Sequence, residues 1–236
     1  MSAGGRDRLH LLHVERDLVV VNKPAGLLTL PSAPGRAEHE DSLLARARTY
    51  ARHKLGRRAY AGLLHRLDRG TSGALAIALS REVHAAGRLL FKSHAFDRTY
   101  LAVVRGAPDA DEGTIAAPIT SEYRDGRRRV ATRADPALPA RTHYRVRERF
   151  GARAALLEVT LDTGRQHQIR IHLAAIGHPV MGDRVYGPTA ASARPADRPM
   201  LHAWKLAFPH PLTGVHVSVI APVPGDFQRA LRNLRD

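Results

Sequence analysis

No cysteine occurs among the 236 residues. That excludes a disulfide framework, thiol catalysis and cysteine-ligated zinc or iron–sulfur centres, and it suits a reducing compartment, so a cytoplasmic protein is expected. No stretch approaches the run of about twenty apolar residues needed to span a bilayer. The opening "MSAGGRDRLHLLHVERD" lacks an apolar core of signal-peptide length before its charges. A soluble chain without membrane association is expected. Lysine is scarce: only Lys23, Lys54, Lys92 and Lys205 stand among 37 basic residues. Acidic residues are in deficit too, 22 against those 37, for a formal net charge of +15. Arginine excess follows genomic base composition as readily as recognition, so the sign of the charge carries the argument. Clustered cations gain affinity for nucleic acid by releasing its condensed counterions, which favours an RNA or DNA partner over a small acidic substrate or an anionic membrane.

Several nucleotide and metal signatures are also missing. There is no P-loop, no GxGxxG and no HExxH, and Ser72 in "TSG" does not sit in a GxSxG elbow. Fourteen histidines invite a metal reading. His167 and His172, however, are five residues apart, which on a helix separates them by about 140° and prevents the shared face that a zinc helix needs. Neither a metal nor a cofactor is expected.

A chain of this length buries roughly 70–75% of its unfolded surface, enough for one large core. We expect an N-terminal extension over 1–15 and a single catalytic domain over 16–236. "LVVV" at Leu18–Val21 reads as a buried strand, and "NKPAGLLTLP" as a turn leading into a second extended piece. "DSLLARARTYARHKL" has helical spacing with Asp41 as its cap. "ALAIALS" is a buried strand, and the segment after Ser80 is a capped helix with Val83, Ala86 and Leu90 on one face. "RTYLAVV" is strand-like. From Gly106 to Ala140 the chain reads as loops and short strands, including "RDGRRRV". "ARTHYRVRERF" and "ARAALLEVTL" are paired strands turning near Gly151. In "DTGRQHQIRIHLAAIGHPV" the apolar spacing predicts a helix from about Arg165 to Ile176, capped by Gly177, with Arg165 and Ile169 one turn apart on a shared face. Beyond the "GPTAASARPADRP" loop, "LHAWKLAF" and "GVHVSVIAP" are strands followed by a short helix. Strands outnumber helices without βαβ alternation, so the fold class is α+β, with a mixed, largely antiparallel sheet and flanking helices.

What remains chemically is "HRLDRG", which sets Asp68 between Arg66 and Arg69. Read alone it is either a polar turn or an ionised acid beside cations, and a carboxylate with a guanidinium partner stays ionised and competent as nucleophile or base. In context the chain resembles the RluA-type pseudouridine synthase family. The resemblance is carried by "NKPAGLLTLP", "HRLDRGTSG", "RTYLAVVRG", "GTIAAPI", "THYRV", "GRQHQIRIHLAAIGHPVMGDRVYG" and "LHAWKLAFPHPLTG", in the family's order from about Leu18 to Val219.

The resemblance implies a cofactor-independent isomerase that converts uridine to pseudouridine in ribosomal or transfer RNA, with no obligate protein partner. It matches Asp68 to the catalytic aspartate, which acts either as nucleophile or as base taking the 2′ proton. Tyr100 matches the tyrosine that stacks on the uracil and assists removal of its C5 proton, and Arg165 the arginine paired with the carboxylate. Arg66 matches the arginine that fills the space left by the flipped base. Ile169 is then expected to line the uracil pocket, and Arg69, Arg98 and Arg170 to contact RNA. Some relatives carry an S4-type RNA-binding domain; the residues before Leu18 are too few for one, so substrate choice is expected to rest on the catalytic domain and its basicity. Arg98 stands where many relatives have Lys, and Arg69-Gly70 where Lys-Asp or Lys-Glu is common. Two other readings compete: a non-catalytic RNA-binding or ribosome-assembly protein on the same fold, and a glycosidase that cleaves the same bond and releases uracil.

Overall fold

The computed structural model describes residues 9–32, 40–123, 127–188 and 196–236. The loops expected at "PSAPGRAEHED", "RDGRRRV" and "GPTAASARPADRP" lie partly outside those residues. Two compact units are present: residues up to Asp97 with Ala203–Pro222, and Arg98–His202 with Val223–Asp236.

The first unit is built on four buried residues. Leu18, Val19, Val20 and Val21 are all fully buried and form most of β2 (Leu18–Lys23). An unbroken apolar run of this kind suits a strand covered on both faces. The residue pattern predicts no strand before it, yet β1 (Leu11–Val14) pairs antiparallel with β2. Two of its four residues are exposed and two half-buried, which explains why no buried-strand signal marks it. On the other side β2 pairs antiparallel with β4 (Ser72–Ala78), every residue of which is buried. The two-residue β3 (Gly62–Leu63) pairs with the far end of β4, at Ala78 and Ile77. A Cβ on Gly73 would meet the Ala203 carbonyl oxygen at 2.2 Å, and its φ of +120° also demands glycine. The strand β11 (Leu201–Pro209) therefore approaches β4 closely at this point, and its Lys205–Pro209 segment pairs antiparallel with β12 (His216–Ile220).

The helix α1 (Leu43–Leu55) is capped by Ser42, not by the expected Asp41. Ser42 is extended and its hydroxyl accepts from Ala45 N, while Asp41 pairs with Arg46 at 2.5 and 2.7 Å. Ser80 caps α2 (Arg81–Lys92) as expected, accepting from Val83 N at 3.1 Å. Phe96 stacks on Phe208 with ring centroids 4.4 Å apart, and Val83, Leu206 and Val217 complete the core around the alanines of β4. After Gly26, Leu28 makes only an isolated bridge to Ser42, so the second extended piece is not a strand of a ladder.

In the second unit β5 (Asp97–Arg105), β10 (Ala154–Leu161), β9 (Thr142–Phe150) and β6 (Glu112–Ile115) run in that order as antiparallel neighbours. Gly151, with φ +58°, makes the β9–β10 turn where it was expected. The Gly106–Ala140 stretch adds β7 (Ile119–Thr120) paired with β8 (Ala137–Leu138). Two helices, α3 (Gln168–Ala175) and α4 (Gly225–Arg235), belong to this unit. The ladders and the four helices realise the expected class, a mixed, largely antiparallel sheet with flanking helices. Among the described residues no helix is long and apolar enough to cross a membrane.

Candidate active-site residues

Asp68, Arg66 and Arg69 belong to the first unit; Tyr100, Arg98, Arg165, Ile169 and Arg170 belong to the second.

The Asp68 turn leads directly into β4. The Asp68 carbonyl accepts from Thr71 N at 3.0 Å, closing the turn. Its two neighbours are pinned to the "NKPAGLLT" loop. Before it, the Thr29 hydroxyl donates to the Leu67 carbonyl at 2.5 Å. After it, Gly26 N donates to the Arg69 carbonyl at 2.8 Å, and Arg69 Nε returns a bond to the Gly26 carbonyl at 3.0 Å. Lys23 is fully buried, and its ammonium donates to the carbonyls of Pro24, Leu27 and Arg69 at 2.9, 2.8 and 3.3 Å. A buried ammonium needs its donors satisfied, and these carbonyls do so while gathering both loops around one nitrogen. The half-buried Asp68 thus sits on a backbone fixed on both sides. Arg66 is exposed; Arg69 is exposed but already engaged with Gly26. Sequence reasoning missed Lys23 and Thr29. A lysine between an apolar run and a proline is the available signal for the first; nothing local marks the second.

In the second unit Tyr100 lies on β5 opposite Val159, 7% exposed. Arg98, two residues earlier, projects to the same side of the strand. It is buried, and its Nη1 lies beside Gly164, where a Cβ would come within 2.8 Å. Its guanidinium is packed against the turn that carries Arg165.

Arg165 is not on the helix. The chain takes a left-handed conformation at His167, φ +58°, and α3 begins at Gln168, so Arg165 and Ile169 do not share a helical face. The cause is the buried Gln168 side chain. Its Oε1 accepts from Arg165 N at 2.9 Å and from the Thr163 hydroxyl at 2.7 Å. Its Nε2 donates to the Arg141 carbonyl and to Thr142 Oγ1 at 2.9 and 3.0 Å. These bonds hold Thr163–Arg165 as a turn. Arg165 Nε donates to the Pro139 carbonyl at 3.0 Å. Ile169 is buried in the first turn of α3.

Arg170 lies in α3. It is 6% exposed and forms a two-pronged ion pair with Asp183, itself 1% exposed, at 2.6 and 2.8 Å. Burial favours the neutral acid, but Arg170 and the amides of Val185 and Tyr186 outweigh it and hold the Asp183 carboxyl below its ordinary range. Arg170 also lies over the Tyr186 ring, 5.1 Å from its centroid. Burial raises the Tyr186 hydroxyl to about 12. It therefore keeps its proton, and it is hydrogen-bonded to His167 Nδ1 at 3.0 Å. His172, expected only as a failed metal ligand, is buried and kept neutral chiefly by that burial; its Nε2 donates to the Ala117 carbonyl at 2.9 Å and its Nδ1 accepts from Thr142 Oγ1. An open cavity of about 520 Å³ on this unit, lined by Arg105, His178 and Tyr186 among others, includes none of the expected site residues.

Among the described residues one group, Glu15, Asp17 and His210, brings ligand-type atoms within 4.8 Å of one another. His210 Nδ1 accepts from the amides of Leu212 and Thr213 at 3.3 Å. The ring proton therefore resides on Nε2, which faces Asp17 and Glu15 at 3.3 and 3.5 Å. The group is thus a histidine held between two acids.

Comparison with known proteins bears on both units. Residues 17–175 match the family model described as RNA pseudouridylate synthase. An uncharacterized RNA pseudouridine synthase of Mycobacterium bovis is 40% identical over 95% of the chain and 72% of its own length. Ribosomal large subunit pseudouridine synthase D of Xylella fastidiosa is 38% identical over 97% of the chain and 70% of its own length. Among solved structures, human RNA pseudouridylate synthase domain containing 1 superposes with a TM-score of 0.73 at 26% identity, covering 100% of the chain and 98% of that protein.

Proposed function

The chain belongs to the RNA pseudouridylate synthase family, and on that premise we propose how its own residues isomerise uridine in RNA. The enzyme is an isomerase that acts on RNA. The reaction breaks the N-glycosidic bond, turns the uracil while it is held, and joins C5 to C1′. No atom is added and no electron is transferred.

Asp68 is assigned the essential carboxylate, as nucleophile or as the base that takes the 2′ proton. The observation that carries this reading is the pinning of both its neighbours, Leu67 by Thr29 and Arg69 by Gly26 and Lys23. Such support on both sides is what a reacting group needs to be held in place, since misplacement by about 1 Å costs rate steeply. Tyr100 is assigned to stack on the uracil and to assist loss of its C5 proton. Arg165 is assigned the balancing positive charge. A stacked uridine must leave the helix to react, at a cost of a few kcal/mol, and the exposed Arg66 is assigned the place of the flipped base. Ile169 is assigned to the wall beside the uracil. Arg69 retains an RNA contact through the part of its guanidinium beyond Nε; Arg98 is reassigned to holding the turn that carries Arg165, and Arg170 to holding α3.

Ribosomal RNA of the large subunit is the proposed substrate, supported by the names of several relatives, and the cytoplasm the proposed setting. The test is incubation of the protein with a transcript of large-subunit RNA, followed by carbodiimide labelling and primer extension. New stops at discrete uridines are expected. Labelling of transfer RNA alone would move the substrate; free uracil with an abasic product would replace the isomerase by a glycosidase.

A further inference from the structure

The positive charge is not spread evenly over the exposed surface. On the second unit the outward arginines of β9 are matched by acids: Arg145 with Glu112 at 3.6 Å, Arg147 with Glu158 at 2.7 Å and Arg149 with Asp111 at 2.8 Å. The first unit has the opposite pattern. No Asp or Glu occurs between Ser42 and Leu67. Within that stretch Arg48, Arg52, Lys54, Arg57 and Arg58 are exposed, and among the described residues no ion pair involves them. Glu82 is the exposed acid nearest in sequence on α2, and Arg81 stands next to it.

Arg48 and Arg52 lie one turn apart on α1, Lys54 sits about 200° round the helix from Arg52, and past the Gly56 cap Arg57 and Arg58 stand in the segment that Tyr60 ties to the start of α2. Its hydroxyl is hydrogen-bonded to His84 Nδ1 at 2.6 Å, and the Arg81 guanidinium lies over its ring at 4.9 Å from the centroid. Gly62 then enters β3 against Ala78, at the end of β4 remote from the Asp68 turn. Seven strand residues at about 3.3 Å each put roughly 20 Å between the two ends.

We propose that the face made by the C-terminal half of α1, Arg57–Arg58 and the start of α2 docks the phosphate backbone of an RNA duplex flanking the target uridine. This rests on the reading that the protein acts on RNA. The distance from Asp68 exceeds what the target nucleotide spans, so the face serves neighbouring structure. Single-stranded RNA is held by aromatic platforms between cations. Here the loop aromatic, Tyr60, is covered by Arg81 and bonded through its hydroxyl, which leaves recognition to charge and shape, as in duplex binding.

The test compares the wild-type protein with the quadruple variant R52Q/K54Q/R57Q/R58Q, all four exposed. The probes are a labelled 24-base-pair RNA hairpin and a polyuridylate 12-mer, and R145Q/R147Q/R149Q, which removes three charges from the acid-matched face, is the control. The quadruple variant is expected to bind the hairpin more than tenfold more weakly. Its slope of log affinity against log salt should be shallower by about 3–4, with the control near wild type. On total RNA its KM should rise with kcat unchanged. Wild-type affinity and slope in the quadruple variant would overturn the proposal, and so would equal weakening toward the 12-mer or equal loss in the control. A wild-type protein that binds the hairpin through this face but modifies no RNA would instead contradict the catalytic reading alone.

Discussion

Arg170 and Asp183 form a buried ion pair, with Nε to Oδ2 at 2.6 Å and Nη2 to Oδ1 at 2.8 Å. Removing one partner strands the other charge in a dry site, so Asp183→Asn should cost about 3–5 kcal/mol in urea unfolding at pH 7. The sign with pH follows from the lowered carboxyl of Asp183. Its contribution is fully present above the unfolded-state value near 3.9 and is lost as pH falls through the lower folded-state value. The stability gap between wild type and Asp183→Asn should therefore narrow in acid. A gap that stays constant down to pH 2 would mean the carboxylate charge is not what stabilises.

Gly73→Ala tests the close approach of β4 and β11. The new Cβ would lie 2.2 Å from the Ala203 carbonyl oxygen, at a φ of +120°. Both terms act against the folded state, and a loss of more than about 3 kcal/mol, or failure to accumulate as folded protein, is expected. A melting temperature within a few degrees of wild type would contradict the geometry.

Lys23→Met removes the ammonium that draws Pro24, Leu27 and Arg69 together. Three carbonyls lose a donor, that of the buried Leu27 among them, and a cost of about 2–3 kcal/mol is expected. Because Arg69 follows Asp68 directly, kcat should fall further than the fraction of folded protein accounts for, with KM little changed. Loss of stability with full kcat would show that the loop does not set the position of Asp68.

Tyr100→Phe separates the two tasks given to that ring. Stacking is preserved and the hydroxyl is lost, so RNA affinity should stay near wild type while kcat falls by about 10²–10⁴-fold, the range for a proton-transfer group. Tyr100→Ala should lose affinity as well. An unchanged kcat in Tyr100→Phe would remove the hydroxyl from the reaction.

The strands and helices with strong patterns were legible: Leu18–Val21, the Ser80-capped helix, and the hairpin around Gly151 follow from burial runs, a cap and a turn. The motif carried Asp68, Tyr100 and Arg165, but not their supports. Spacing alone extended α3 back to Arg165, because Gln168 reads as a helical surface residue until its amide is seen tying Arg165, Thr163 and Arg141 together. Arg170 read as a surface cation for a related reason. Its partner Asp183 lies thirteen residues on, past a turn, and an ion pair across a turn leaves no periodic trace. β1 escaped because a half-exposed edge strand lacks an apolar run.

The most direct measurement is tritium release from C5-labelled uridine RNA by the wild-type protein and by Asp68→Asn, with circular dichroism and RNA affinity measured in parallel. Loss of release to background in a variant that folds and binds RNA as wild type does is the predicted result. Undiminished release by Asp68→Asn would contradict the assignment on which the account rests.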